Sequence, residues 1–247
     1  MKQGVSGITP RELDQFFTKP EVACACIKIL NEKFPITDFF DCIIEPSNCN
    51  NAFVDALNDW KEKVIAFDID SKNETSRRDF LNVSPNEITI HRSRVLVIGN
   101  PPFGKGARKA IEFFNHSSKF ADTIAFIVPR TFRKDSIRNS LDLYFEMIYE
   151  TLLDPKSFIF ENDEYSVPCL FQIWVRVEDV REKTKSINKT RDFQFVNSKL
   201  PFDLVVRRVG VNAGRIFDDL SKDYSPQSHN FISLFDNSTI CMTLIIS

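Results

Sequence analysis

Histidine is scarce in this chain, with three among 247 residues, and the three are scattered. Six cysteines occur (Cys24, Cys26, Cys42, Cys49, Cys169 and Cys241), but none stands in a C-x-x-C pair. Zinc sites need convergent thiolates and imidazoles, so no metal is expected. The cysteines lie mostly in apolar surroundings, which predicts reduced, buried thiols and a cytoplasmic or other intracellular reducing compartment. Only seven glycines are present, and no G-x-x-x-x-G-K-[ST] loop is found. That speaks against an unrelated phosphate-cradling nucleotide module. Signal-peptide patterns and apolar runs of membrane-spanning length are missing, so no membrane partner is expected. Positive charge is not in excess either: 32 Lys+Arg against 34 Asp+Glu leave a formal charge of −2. Any contact with a polyanion must therefore come from a local patch. Internal repeats and low-complexity tracts are absent.

Aromatic mass is abundant, with 24 phenylalanines, enough for one sizeable domain or for one domain with a small appendage. The organising stretch is Val95-Leu96-Val97-Ile98-Gly99-Asn100-Pro101-Pro102-Phe103-Gly104. Four apolar β-formers run into a turn that cannot continue a strand. The pattern predicts a buried parallel strand delivering a stiff loop to its carboxyl end, where open α/β sheets bind ligands. Asn100 offers a side-chain carbonyl, and Pro101 offers a main-chain carbonyl from a residue with no N–H. Two acceptors can thus converge on one amino group, while Phe103 offers a face for stacking a planar ring. An exocyclic amine on a base is a poor nucleophile because its lone pair is delocalised. Holding both its hydrogens favours the pyramidal geometry from which it attacks.

Asn-Pro-Pro-Phe after an apolar strand resembles the catalytic motif of S-adenosylmethionine-dependent amino methyltransferases, especially those acting on adenine in DNA. Further segments match in the same order, so the resemblance runs from about residue 9 to residue 177. Phe17-Thr18 is similar to an aromatic-x-Thr-Pro-like segment that in the family touches the cofactor's methionine end. By spacing alone Thr18 and Glu21 also form a capping box for a helix through about residue 32, with Pro20 in its first turn. Phe39 to Phe53 has the layout of a first strand, a tight loop and a helix starting near Ala52. Glu45, Pro46, Ser47 and Phe53 match the family's Glu-Pro-Ser-Ala-Gly-x-Gly-x-Phe, whereas Cys49 and Asn51 stand at the two glycines. Asn tolerates positive φ, so Asn51 can keep the turn. Cys49 brings a sulfur toward the place of the methionine moiety, and nothing beside it suggests thiolate activation.

Val64 to Asp70 reads as a second buried strand ending in carboxylates. The resemblance places Asp68 on the cofactor's ribose hydroxyls, and within Arg77-Arg78-Asp79-Phe80-Leu81 it places Asp79 and Phe80 beside the adenine ring. After the central loop, residues 107–116 have helical character with Ile111 and Phe114 inward. Lys105, Arg108 and Lys109 then sit at the lip of the site. Thr123 to Pro129 predicts another core strand, followed by a second basic loop holding Arg130, Arg133 and Lys134. Two basic loops on one edge are candidate nucleic-acid contacts. Strands are expected over 144–153, 157–160 and 167–175, with a hairpin closing the sheet; Phe158 and Phe160 are candidates for core packing or for stacking a flipped base. Residues 178–191 read as a charged linker or exposed loop. Strands are also expected at 193–195 and 204–206, with Gly210 and Gly214 in the next turn and a final apolar run over 239–246.

The resemblance implies a Rossmann-like class I methyltransferase α/β fold: a mostly parallel sheet, helices on both faces and an antiparallel hairpin at one edge. The expected organisation is a mobile arm (1–13), a catalytic core (14–177), the linker (178–191) and a small C-terminal segment (192–247), a truncated recognition region or an extra strand pair. The expected activity is methyl transfer from S-adenosylmethionine to the exocyclic amine of adenine, with Asn100, Pro101, Pro102 and Phe103 catalytic. Phe17, Thr18, Glu45, Pro46, Ser47, Asp68, Asp79, Phe80 and Asn100 would bind the cofactor. Nucleic acid is the expected partner, DNA favoured and RNA possible. The rival readings are the same chemistry on RNA or on a protein glutamine, and a non-catalytic scaffold whose cofactor loop is altered at Cys49 and Asn51.

Overall fold

A computed structural model describes residues 16–70, 77–89, 94–160, 163–184, 193–210 and 212–235. The chain divides into two compact units, residues 1–184 and 185–247. The first unit opens with β1 (Phe17–Thr18), α1 (Pro20–Lys33), α2 (Ile36–Phe39), β2 (Cys42–Glu45) and α3 (Ala52–Ala56). There follow β3 (Val64–Ala66), α4 (Pro85–Thr89), β4 (Val95–Gly99), α5 (Arg108–Ser117), β5 (Thr123–Pro129) and α6 (Asp135–Arg138). It closes with β6 (Phe145–Leu152), β7 (Phe158–Phe160), β8 (Asp163–Tyr165) and β9 (Cys169–Arg176).

Six strands make the main sheet in the order β3-β2-β4-β5-β9-β6. β3, β2, β4 and β5 run parallel, and β9 is antiparallel to both its neighbours. This is a Rossmann-like α/β sheet with an antiparallel end. All five residues of β4 are buried, as an apolar run enclosed on both sheet faces requires. Its partners β2 and β5 are equally apolar, with Ile43 and Ile44 opposite Leu96 and Val97, and Ile124 and Ala125 opposite Val97 and Ile98. Because these strands run the same way, the loops after Glu45, Ala66, Gly99 and Pro129 all emerge at one edge. α5 supplies Ala110, Phe113 and Phe114 to the core. Phe114 meets Trp174 of β9 edge-on at 5.3 Å.

Several expectations are corrected. Thr18 does not cap α1: it pairs with Phe158 in β1, and Lys19 takes the cap position with no side-chain bond. The ladder claims Thr18 one residue before the helix can begin. The strand expected over 64–70 is only three residues long and half-buried, because β3 is the sheet's edge and has a partner on one side alone. β7 and β8 leave the main sheet and form a separate three-stranded sheet with β1. Phe158 is wholly buried there, so core packing is its use. Of the stretch expected as a linker or exposed loop, residues 178–184 are described and form a mostly exposed loop of the first unit, where Arg181 Nε donates to the Phe145 carbonyl at 2.8 Å and Asn139 bonds the Thr184 main chain in both directions; residues 185–191 lie outside what is described. Cys26, Cys42 and Cys169 are buried, but Cys24 and Cys49 are exposed. The arm, the run over 239–246, Cys241 and the Phe160 side chain lie outside what is described.

The second unit holds β10 (Phe193–Val196), β11 (Leu204–Arg207), β12 (Ile216–Phe217) and β13 (His229–Leu234) in one antiparallel sheet, order β10-β13-β11-β12. Gly210 and Gly214, at φ +85° and +91°, make the turn between β11 and β12, a region that L side chains avoid. Val205, Phe231 and Ile232 form its small buried centre. No described helix is long and apolar enough to cross a membrane.

Candidate active site at the carboxyl edge of the sheet

β4 delivers Asn100 to this edge. The Asn100 Nδ2 donates to the Phe16 carbonyl at 3.1 Å, and its main-chain carbonyl accepts from Ser47 Oγ at 3.0 Å. Its Oδ1 is buried and has no hydrogen-bond partner among the described residues. The Pro101 carbonyl likewise accepts no hydrogen bond there. Both acceptors expected of this loop are therefore without a partner among the described residues, and of the two residues only Asn100 lines the cavities described below. Phe103 behaves differently: its ring is buried, lines neither cavity described below and packs 6.4 Å from the Phe16 ring. The stacking face expected of it is turned into the core. Pro102 stands at the cavity instead.

Beside Asn100 lies the loop after β2. Glu45 is buried, its Oε1 accepting from Ser47 N at 3.3 Å and its Oε2 without a partner. Desolvation raises its pKa well above the ordinary value of 4.5, against the Ser47 hydrogen bond. The carboxylate fits because position 99 is glycine: a Cβ there would lie 2.4 Å from Glu45 Oε1. Asn51 adopts φ +61°, so it keeps the turn that a glycine would otherwise make. Asn48 Nδ2 donates to Asn51 Oδ1 at 2.7 Å, and Asn50 Nδ2 donates to the Thr18 carbonyl at 2.9 Å. Desolvation first, and then the carboxylates of Glu45, Asp68 and Asp70, push the Cys49 thiol up to about 12, although the residue is exposed overall. Nothing there favours a thiolate.

Two cavities meet at this edge. The larger, about 200 Å³, is bounded by Pro46, Asp68, Asp79, Phe80, Pro102 and Phe113 among others. The smaller, about 20 Å³, is bounded by Phe17, Thr18, Glu45, Asn50 and Phe53 among others. Phe16, Ser47, Cys49 and Asn100 line both, so the Ser47–Asn100–Phe16 hydrogen bonds form the partition. Every cofactor residue expected from the sequence borders one of the two.

In the larger cavity Asp68 sits beyond β3, its Oδ1 accepting from Asp70 N at 2.8 Å, and burial raises its pKa. Asp79 caps a short 3₁₀ turn by accepting from Leu81 N at 3.0 Å. Phe80 is fixed by a stacked Phe113 ring at 5.6 Å and an edge-on His116 ring at 5.0 Å. His116 in turn meets the Val83 carbonyl at 3.0 Å through Nε2. Desolvation and then Lys119 lower its pKa, so it acts as a neutral brace for the wall carrying Asp79 and Phe80. Phe16, Phe113 and His116 are site residues that sequence reasoning missed. Phe113 was findable in part, since it lies one helical turn after Lys109 and both border the cavity.

The 3₁₀ turns that follow β4 and β5 pack against each other, bringing the two basic loops to one lip. Lys105, Arg108, Lys109, Arg130, Arg133 and Lys134 are all exposed. Lys109 pairs with Glu112 at 3.3 Å and Arg133 with Glu150 at 2.8 Å. The side chains of Lys105, Arg108, Arg130 and Lys134 pair with none of the described residues. Among those residues no cluster of His, Cys, Asp and Glu could hold a metal ion.

The sequence profile of the EDM2 methyltransferase-like domain matches residues 54–188, more than half of the chain. The matched span holds Asp68, Asp79, Asn100 and both basic loops and begins after the Glu45–Asn51 loop. No curated protein sequence matches the chain. Among solved structures, a candidate RNA methyltransferase from Pyrococcus horikoshii superposes with a TM-score of 0.44 and 14% identity, over 69% of this chain and 90% of that one. The N-methyltransferase NodS from Bradyrhizobium japonicum gives 0.43 and 11%, over 64% and 96%. A candidate tRNA (m1A22) methyltransferase from Streptococcus pneumoniae, in complex with S-adenosyl-L-methionine, gives 0.35 and 10%, over 66% and 74%.

Proposed function

The chain belongs to the EDM2 methyltransferase-like domain family, and on that footing we propose that it transfers methyl from S-adenosylmethionine to the exocyclic amine of adenine in nucleic acid, DNA before RNA. The observation that carries this reading is Asn100 Oδ1, a buried acceptor without a partner among the described residues, on a residue that lines a cavity with two carboxylates and is followed by the Pro101 carbonyl, which accepts no hydrogen bond from those residues. A group with two N–H donors completes that pair, and an adenine amine is such a group.

The residues fit the cofactor chemically. Asp68 is placed to accept from ribose hydroxyls, and Asp79 from a ring amine packed on Phe80. Glu45 Oε2, an acceptor at the small cavity with no partner among the described residues, is suited to an ammonium. When bound, the cofactor supplies an electrophilic methyl on a sulfonium. Asn100 and Pro101 align the amine and exclude water from its hydrogens. As the amine nitrogen gains positive charge, its N–H groups bind these acceptors more strongly, so the stabilisation grows toward the transition state. In a duplex the base must leave the stack to reach them. The lip cations that pair with none of the described residues suit the flanking phosphates.

Labelled S-adenosylmethionine offered with DNA, RNA or a glutamine-bearing protein tests the reading. Transfer to adenine in DNA is expected; transfer to RNA or to glutamine alone would move the substrate. Asn100→Ala should lower transfer by at least a hundredfold while sparing cofactor binding, and undiminished transfer would remove Asn100 from the chemistry. A second reading, a scaffold without activity, is favoured by one observation: the small cavity holds about one water. It predicts no transfer to any of the three.

A further inference from the structure

The small cavity is mismatched to the ligand its chemistry asks for. It is bordered by Glu45, whose Oε2 has no partner among the described residues, yet its 20 Å³ accommodates a single water and no amino-acid tail. The larger cavity, at about 200 Å³, is already open to a nucleoside. The loop over residues 47–51 borders the small one; Ser47 Oγ ties it to the Asn100 carbonyl and Asn48 N to the Phe67 carbonyl, while toward β1 it is held by the Asn50 side chain. Asn50 Nδ2 reaches the carbonyl of Thr18, 32 positions away, which is itself held in the ladder of β1 and β7. The Asn48–Asn51 side-chain bond is internal to the loop. Removing the Asn50 side chain thus releases the loop from β1 without undoing the turn.

Resting on the cofactor reading above, we propose that Asn50 is a specificity-determining residue: its clasp on Thr18 favours adenine nucleosides that lack the amino-acid tail over S-adenosylmethionine. A tail-less nucleoside enters the open cavity with the clasp intact. A ligand bearing the tail must break the clasp and move Ser47 and Cys49, which line both cavities. The methionine end is thereby gated, and the adenosine end is preformed.

Calorimetric titration of the full chain with S-adenosylmethionine and with 5′-methylthioadenosine, an adenine nucleoside thioether without the tail, tests this. Asn50→Ala is expected to tighten S-adenosylmethionine about three- to tenfold, the worth of one part-buried hydrogen bond, and to leave 5′-methylthioadenosine unchanged. Asn50→Ser, polar but too short to reach Thr18, must behave in the same way. An unchanged or weakened S-adenosylmethionine affinity in variants that still bind the nucleoside overturns the gate alone. Equal shifts for both ligands also overturn it, since Asn50 would then act on the whole loop. If neither ligand binds any of the three proteins, the cofactor reading itself fails and takes the gate with it.

Discussion

Glu45 occupies the space that Gly99 leaves, and the fit has a cost when the site holds no cation. Its pKa is raised in the fold, so the folded chain holds this proton more tightly than the unfolded one. The stability so contributed is complete below the ordinary value of 4.5 and is lost as pH rises through the raised value. Glu45→Gln should therefore raise the thermal midpoint of the ligand-free protein at neutral pH, by roughly 1–3 kcal/mol in stability. The gain should vanish near pH 4, and melting curves at the two pH values check it. The same substitution should weaken S-adenosylmethionine, because the carboxylate that meets an ammonium is gone. At this scale the sequence was legible wherever chemistry is local. Asn51 takes the positive φ that its side chain tolerates, and Asn100 presents the acceptor that its motif promises. Phe103 and Thr18 misled, since which way a ring turns and which hydrogen bond a residue joins depend on neighbours far along the chain.

The loop between β4 and α5 stores strain. Gly104, Gly106 and Ala107 all have φ near +66°, and Ala107 alone of the three bears a Cβ. A left-handed non-glycine residue costs about 1–2 kcal/mol, and the added freedom of glycine offsets part of it. Ala107→Gly should then stabilise the protein by about 0.5–1 kcal/mol, read from urea unfolding midpoints at constant slope. Gly104 allows no such latitude: a Cβ there would meet the Lys109 side chain at 2.8 Å. Helices and central strands were readable from periodicity, as with α1 and β4. The short edge strand β3 was overextended, because apolar letters cannot tell a strand paired on both sides from one paired on one. Likewise β7 read as a strand, but β8 did not, nor did the departure of β7 to pair with β1.

Near-zero net charge conceals an uneven surface. Lys105, Arg108, Arg130 and Lys134 gather at one lip with no acidic partner among the described residues, while Lys109 and Arg133 beside them are paired. If this lip takes phosphates, the logarithm of affinity for duplex DNA should fall with the logarithm of salt at a slope of about −3 to −4. Replacing the four by Gln should flatten that slope and weaken all sequences alike. A slope unchanged in the variant would place the contact elsewhere.

The sequence by itself determined the fold class and the identity of the chemical groups at the site. Apolar runs separated by helical segments mark where strands lie along the chain, a family resemblance supplies the fold class, and acceptors and carboxylates at strand ends are properties of residue type. Only the tertiary structure decided which of those groups meet and how much room they leave. Residues 18, 45, 50, 68, 79 and 100 reach one edge because four strands run parallel. The division into a larger and a smaller cavity comes from hydrogen bonds between Ser47, Asn100 and Phe16, with the Asn50–Thr18 bond beside the smaller one. Such bonds join residues 32 to 84 positions apart, and no local pattern in the chain encodes their geometry.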